Sequence, residues 1–225
     1  MAMHATAIPA WATERGRALN YFPTIDPTKT ALIAIDLQNA FIVAGQPMAN
    51  PIAGAIVPQV NWLADVLRTA GGRVVWTRHT VVDSGPFALP PWQVLAWGAE
   101  SAVKTALTTG GFGHALHGSL DVRPADIVVD KYRYSAFNRK SSGLDAILND
   151  EGIETLIIVG TMTNVCCEST ARDAHMLDYK ILVVSDATAA PTDAEHNAAL
   201  LNLTTFFAHV CDMAEILAII AGFEA

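Results

Sequence analysis

Short stretches of this chain are apolar on nearly every residue, and that property leaves few folds open. Ala31–Ile35, Arg73–Thr77, Asp126–Val129, Thr155–Val159 and Lys180–Val184 are such stretches, with a shorter one near Phe206–Val210. A strand with one wet face alternates apolar and polar residues, whereas a strand covered on both faces is apolar throughout. Between them lie helical patterns: Ile56–Ala70, stopped by Gly71-Gly72, and segments around 143–151, 166–178, 193–203 and 212–221. Strand and helix in alternation, with doubly covered strands, predict a three-layer α/β/α domain around a mainly parallel sheet of about six strands.

The rhythm starts at residue 30, so the chain divides into an arm, 1–29, and a domain, 30–225. Pro9, Pro23 and Pro27 punctuate the arm, which reads as a segment lying over the domain with little regular structure. Residues 79–124 break the rhythm. A connection of that length in a compact domain is usually a lid or an interface element. Its Phe87, Pro90, Pro91, Trp92, Trp97 and Phe112 predict short helices that wall a pocket or meet a neighbouring subunit.

Composition narrows the function. The 225 residues are 52% hydrophobic and 16% charged, with a net charge of −8 and no cluster of Lys and Arg, which argues against a nucleic-acid partner. No window approaches the roughly 18 apolar residues of a membrane span. The apolar surplus points to a thick core and a homodimer or homotetramer. The three cysteines, Cys166, Cys167 and Cys211, are too few for a disulfide framework, and the opening residues do not form a signal peptide. A reducing cytoplasm is the expected compartment.

In parallel sheets ligands bind beyond the carboxyl ends of the strands. Asp36 follows the first strand, Arg78 and His79 the second and Lys131 the third. The fourth runs through Gly160-Thr161-Met162-Thr163-Asn164-Val165 into Cys166 and Cys167. A thiol at a helix N-terminus has the dipole and free N–H groups in favour of its thiolate. An acid, a cation and a thiol thus converge from separate strands. Successive helical residues point about 100° apart, so only one of the two cysteines should face the cleft, and position does not say which.

Three motifs resemble the isochorismatase-like cysteine hydrolases: Ala34-Ile35-Asp36-Leu37-Gln38-Asn39-Ala40-Phe41, Asp130-Lys131-Tyr132-Arg133-Tyr134-Ser135-Ala136-Phe137, and Gly160 to Cys166 continuing through Arg172-Asp173-Ala174. The match spans about residues 28–220. The resemblance implies a catalytic triad of Asp36, Lys131 and Cys166 that hydrolyses small amides, ureides or carbamoyl compounds without a cofactor. It leaves Cys167 to the core. It also implies a non-proline cis peptide at Thr161-Met162 and an oxyanion hole formed by the N–H groups of Met162 and Cys166. The motif wording is most similar to the ureidoacrylate amidohydrolase group.

Substrate contacts are expected from Gln38, Arg78, Trp92, Tyr134 and Phe137. Arg78 or Arg133 is expected to hold a substrate carboxylate, since arginine captures carboxylates in bidentate fashion; otherwise Trp92, Trp97 and Phe137 wall a pocket for apolar amides. The thiol is expected to alkylate fast at neutral pH. The family's nicotinamidases carry an Asp-x-His metal site after the first strand, but residues 37–60 hold no His, Asp or Glu, so no metal is expected. His114 and His117 lack a third ligand in sequence context. The alternatives are an isochorismatase-type hydrolase of an enol ether and a non-catalytic ligand-binding subunit.

Overall fold

A computed structural model describes residues 3–95 and 102–223. Its centre is one parallel sheet of six strands: β1 (Thr30–Ile35), β2 (Arg73–His79), β3 (Ile127–Lys131), β4 (Thr155–Thr161), β5 (Lys180–Ala189) and β6 (His209–Cys211). Every pairing is parallel. The helices are α1 (Ala10–Leu19), α2 (Asn39–Ile42), α3 (Val57–Thr69), α4 (Pro91–Leu95), α5 (Ala102–Leu107), α6 (Leu144–Asp150), α7 (Glu168–His175), α8 (Asp193–Phe206) and α9 (Met213–Ala221). None is long and apolar enough to cross a membrane.

Alternation along each strand divides the core between the two faces of the sheet. Leu32 and Ala34 of β1 pack with Leu63 and Leu67 of α3 and Ile216 and Ile219 of α9. Ala31, Ile33 and Ile35 pack with Leu144 of α6, Ala171 of α7 and Leu200 of α8. All six residues of β1 are buried, which is why its sequence carries no polar alternation.

The strand order is β3-β2-β1-β4-β5-β6, so the winding reverses between β1 and β4. This switch point is where an open parallel sheet splays its loops apart and leaves a crevice. Gly160 lets the two strands close up at that point. Its φ is +112°, and a Cβ would collide with the Ile35 carbonyl oxygen. Asp36, the first residue past β1, is also left-handed at φ +51°, a region asparagine and aspartate enter more readily than most residues.

The amino-terminal arm departs from its expected irregularity. Between Pro9 and Asn20 it forms α1, whose two buried residues, Ala12 and Gly16, lie one turn apart. At Gly16 a Cβ would meet the Thr204 carbonyl of α8, so the glycine permits that close packing. The long connection does hold short helices, α4 and α5, as its composition predicts. Trp97 lies outside the described residues.

Candidate active site

Two strands deliver charge to the switch point. Lys131 is the last residue of β3, and its side chain crosses beneath β2 to reach Asp36 beyond β1. Nζ lies 2.7 Å from Asp36 Oδ2, with both side chains fully buried. The ammonium also donates to the carbonyls of Arg133 and Tyr134, each at 3.0 Å, and lies 3.2 Å from His79 Nδ1. Thr77 on β2 donates to Asp36 Oδ1 at 2.8 Å. A buried ion pair persists only where further hydrogen bonds replace the lost water, and these contacts supply them.

The thiol comes from β4. One turn of π-helix, Thr163–Cys167, joins that strand to α7, so the cysteines precede the α-helix rather than open it. The Cys167 N–H is used by the Met162 carbonyl at 3.1 Å. Within this turn the two side chains separate. Cys166 lines a cavity, with its Sγ within 4.8 Å of donor atoms of Asp36 and His79, whereas Cys167 is fully buried in the core between the sheet and α7. The Thr161–Met162 peptide is cis. Asn50 Nδ2 donates to Thr161 Oγ1 at 3.1 Å, and His196 Nδ1 lies 3.0 Å from Thr163 Oγ1, so the entry to the turn is tied down on either side of Met162.

Burial sets the proton state of the resting site. Desolvation pushes the Cys166 thiol up to about 12, against a smaller opposing pull from Lys131. Burial alone would lower Lys131, but its contacts, the Asp36 charge first among them, outweigh it and leave the ammonium raised. Desolvation, then the Lys131 charge, holds His79 down to about 3. At neutral pH the site therefore contains a thiol, an ammonium and a neutral imidazole. The thiolate expected from a helix N-terminus is not the resting species, because desolvation exceeds every favourable contact.

The cavity measures about 110 Å³. Phe41, Met48, Val103, Leu107, Met162 and Val165 form apolar walls, and Cys166, His79 and Tyr134 complete the lining. Among the described residues, the donors of Asp36, His79 and Cys166 form a possible metal triple within 4.8 Å of one another. The Lys131 ammonium already meets Asp36 Oδ2 and His79 Nδ1, and a cation beside it would meet like charge. The donor set fits an ammonium better than a metal ion.

Residues 30–215 match the Isochorismatase domain family. The chain belongs to the isochorismatase family. Among relatives, a ureidoacrylate amidohydrolase RutB of Methylorubrum extorquens is 35% identical over 220 residues, covering 89% of this chain and 86% of that protein. A cysteine hydrolase structure from Pseudomonas syringae pv. phaseolicola 1448A superposes with a TM-score of 0.81 at 28% identity, covering 90% of this chain and 97% of that one. N-carbamoylsarcosine amidase from Thermoplasma acidophilum gives a TM-score of 0.67 at 27% identity, covering 82% and 96% respectively.

Against this isochorismatase-family frame, the expected substrate contacts divide. Tyr134 lines the cavity. Gln38 does not: it is fully buried, donates to the carbonyls of His79 and His114 at 3.1 and 2.9 Å, and accepts from the His79 N–H at 2.7 Å. It braces the strand ends. Arg78 sits on the opposite face of β2 from His79 and donates to Asp130 Oδ1 at 2.7 Å. Arg133 donates to the carbonyls of Tyr132, Phe87 and Ala88 at 2.6, 2.8 and 3.1 Å rather than to an acid. Trp92 is 72% exposed on α4. Phe137 is a core residue, 5.5 Å from the Tyr179 ring. His114 faces Thr80 and Asp130, away from any ligand set.

His79 is the residue that sequence reasoning placed at a strand end but did not assign to the site. Period-two alternation forces Arg78 and His79 to opposite faces. Which face carries the site depends on where Asp36 and Lys131 lie across the sheet, and the sequence alone does not reveal that.

Proposed function

We propose that this protein is a cofactor-free cysteine amidohydrolase that cleaves a C–N bond of a small amide, ureide or carbamoyl compound. One observation carries the reading: a fully buried Asp36–Lys131 pair stands beside the only thiol that lines the described cavity, with a carboxylate oxygen of Asp36 within 4.8 Å of Cys166 Sγ. The names of its relatives, an amidohydrolase and an amidase, support the reaction class.

Asp36 takes the thiol proton as Sγ attacks the carbonyl carbon, so thiolate forms only when there is an electrophile to receive it. Lys131 keeps Asp36 in register and balances its charge. The N–H groups of Met162 and Cys166 hold the oxyanion of the tetrahedral intermediate. That intermediate collapses with loss of the amine, which leaves with the proton from Asp36, and a thioester remains on Cys166. Asp36 then takes a proton from water, hydroxide attacks the thioester, and the acid departs as Sγ regains its proton.

The test is ammonia release from a panel of small amides and ureas, with mass spectrometry of the quenched enzyme. We expect turnover, an acyl adduct on Cys166, and a loss of kcat on the order of 10⁴ or more in Cys166→Ala. Cys167→Ala should keep its activity. Turnover surviving in Cys166→Ala would end the proposal.

A further inference from the structure

The amidohydrolase reading leaves open the charge of the substrate, and the cavity bears on that directly. Its walls carry no Lys or Arg among the described residues. The cations on the elements around the cavity are committed, Arg78 to Asp130, Lys104 to Asp83 and Arg133 to backbone carbonyls. Lys131 is fully buried, does not line the cavity, and compensates the Asp36 carboxylate. The sequence 96–101, Ala-Trp-Gly-Ala-Glu-Ser, contains no cation. A substrate carboxylate would therefore enter an apolar pocket with no counter-ion, close to the Asp36 charge. Burying an unpaired carboxylate is strongly unfavourable.

The pocket does hold one polar group with a fixed orientation. His79 is 4% exposed and lines the cavity. Its Nδ1 faces the Lys131 ammonium, which has protons to give and no lone pair to receive one. A neutral ring in that contact accepts at Nδ1 and so carries its own proton on Nε2. No described hydrogen bond engages Nε2. Lys131 thereby fixes a tautomer whose free N–H belongs to a residue of the cavity wall.

We infer that this site selects an uncharged small amide or carbamoyl compound with an apolar substituent, and that the His79 Nε2–H donates a hydrogen bond to that substrate. The inference rests on the amidohydrolase reading and goes beyond it, because one relative named for a ureido acid acts on a carboxylate-bearing compound.

Two isosteric pairs test it: 3-methylbutylurea against 3-ureidopropionate, and 4-methylpentanamide against succinamate. In each pair an isopropyl group replaces a carboxylate. We expect kcat/KM to favour the neutral member by at least about tenfold. A preference for the acid in either pair, as would follow from a cation supplied by a neighbouring subunit, overturns the inference. With the neutral amide, His79→Leu should raise KM about tenfold, the usual cost of leaving a buried acceptor unpaired. His79→Gln, which keeps an N–H near the Nε2 position, should recover part of that. KM should stay flat from about pH 5 to 8, since the ring is neutral throughout. Unchanged KM in His79→Leu, or a collapse of kcat alone, removes the donor role. Should the enzyme hydrolyse neither pair, the amidohydrolase reading fails. Calorimetric binding of the same pairs to Cys166→Ala would then still decide the charge preference.

Discussion

Strand β3 carries a buried acid–base pair at each end, and the two behave differently. At its amino end Asp126 meets Arg68 through two contacts of 2.9 and 2.6 Å. It also accepts from Trp76 Nε1 and from the Arg123 N–H, each at 2.8 Å. A carboxylate offers about four acceptor positions, and Asp126 accepts four hydrogen bonds, three on Oδ2 and one on Oδ1. At its carboxyl end Lys131 meets Asp36, which accepts from Thr77 on one oxygen and from the ammonium on the other. That leaves capacity for the Cys166 thiol. Under the proposed mechanism, the same chemistry of pairing makes a structural clamp where the carboxylate is saturated, and a proton acceptor where it is not. Buried charge alone does not mark a site; unused capacity beside a thiol is the better sign.

Lys131→Met should break this contrast with the largest effect. Removing one partner of a buried pair strands the other charge and typically costs about 3–5 kcal/mol. We expect a loss of that order in denaturant unfolding, and a fall in kcat on the order of 10³ or more. The double variant Asp36→Asn/Lys131→Met guards against simple unfolding, because removing both charges should restore much of the stability without restoring turnover. An active double variant would show that the pair is a clamp like its counterpart.

The sheet was legible because doubly covered strands leave an unbroken apolar signature, and β1 and β4 carry it most fully. The convergence of an acid, a cation and a thiol followed from parallel strands sharing one carboxyl end, whereas the choice of Lys131 and of Cys166 over Cys167 came only with the family resemblance. What remained hidden depends on contacts distant in sequence. Arg78 looked like a rim residue until the β2–β3 register placed Asp130 beside it. Gln38 belongs to a motif with the acid, yet its role is set by backbone groups of His79 and His114. Helix α1 buries only two residues, too narrow a stripe to give a periodic pattern. The π-turn cannot be read from Thr163–Cys167, because the residue types that permit it also permit an α-helix.

Proton state offers a smaller, sharper test. With the thiol pushed up to about 12 by burial, the thiolate fraction rises about tenfold per pH unit below that value. Iodoacetamide labelling of Cys166, followed by mass spectrometry in a Cys167→Ala background, should therefore be slow at neutral pH. It should climb steadily from about pH 7 to 10. In urea the same thiol should level off above its ordinary value of 9.0. Fast labelling of the native protein at neutral pH, with no further rise, would mean that Lys131 outweighs desolvation and that the resting nucleophile is a thiolate.

The smallest effect belongs to the other end of β3, and it tests the comparison from the opposite side. Arg68 is 13% exposed and Asp126 3%, so the clamp is only partly screened. Arg68→Met removes its charged donors while keeping much of the apolar stem. Trp76 and the Arg123 N–H still serve Asp126, so the carboxylate is not abandoned. A stability loss of about 1–3 kcal/mol is expected, the range for hydrogen bonds to charged groups. Lys131 lies five strand steps beyond Asp126, roughly 16 Å at the usual rise, and sites that far apart act independently. Turnover by Arg68→Met should accordingly match the parent enzyme once both are folded. A variant that is stable but slow would instead mean that the two ends of β3 are coupled through the sheet, and that the saturated pair also serves the site.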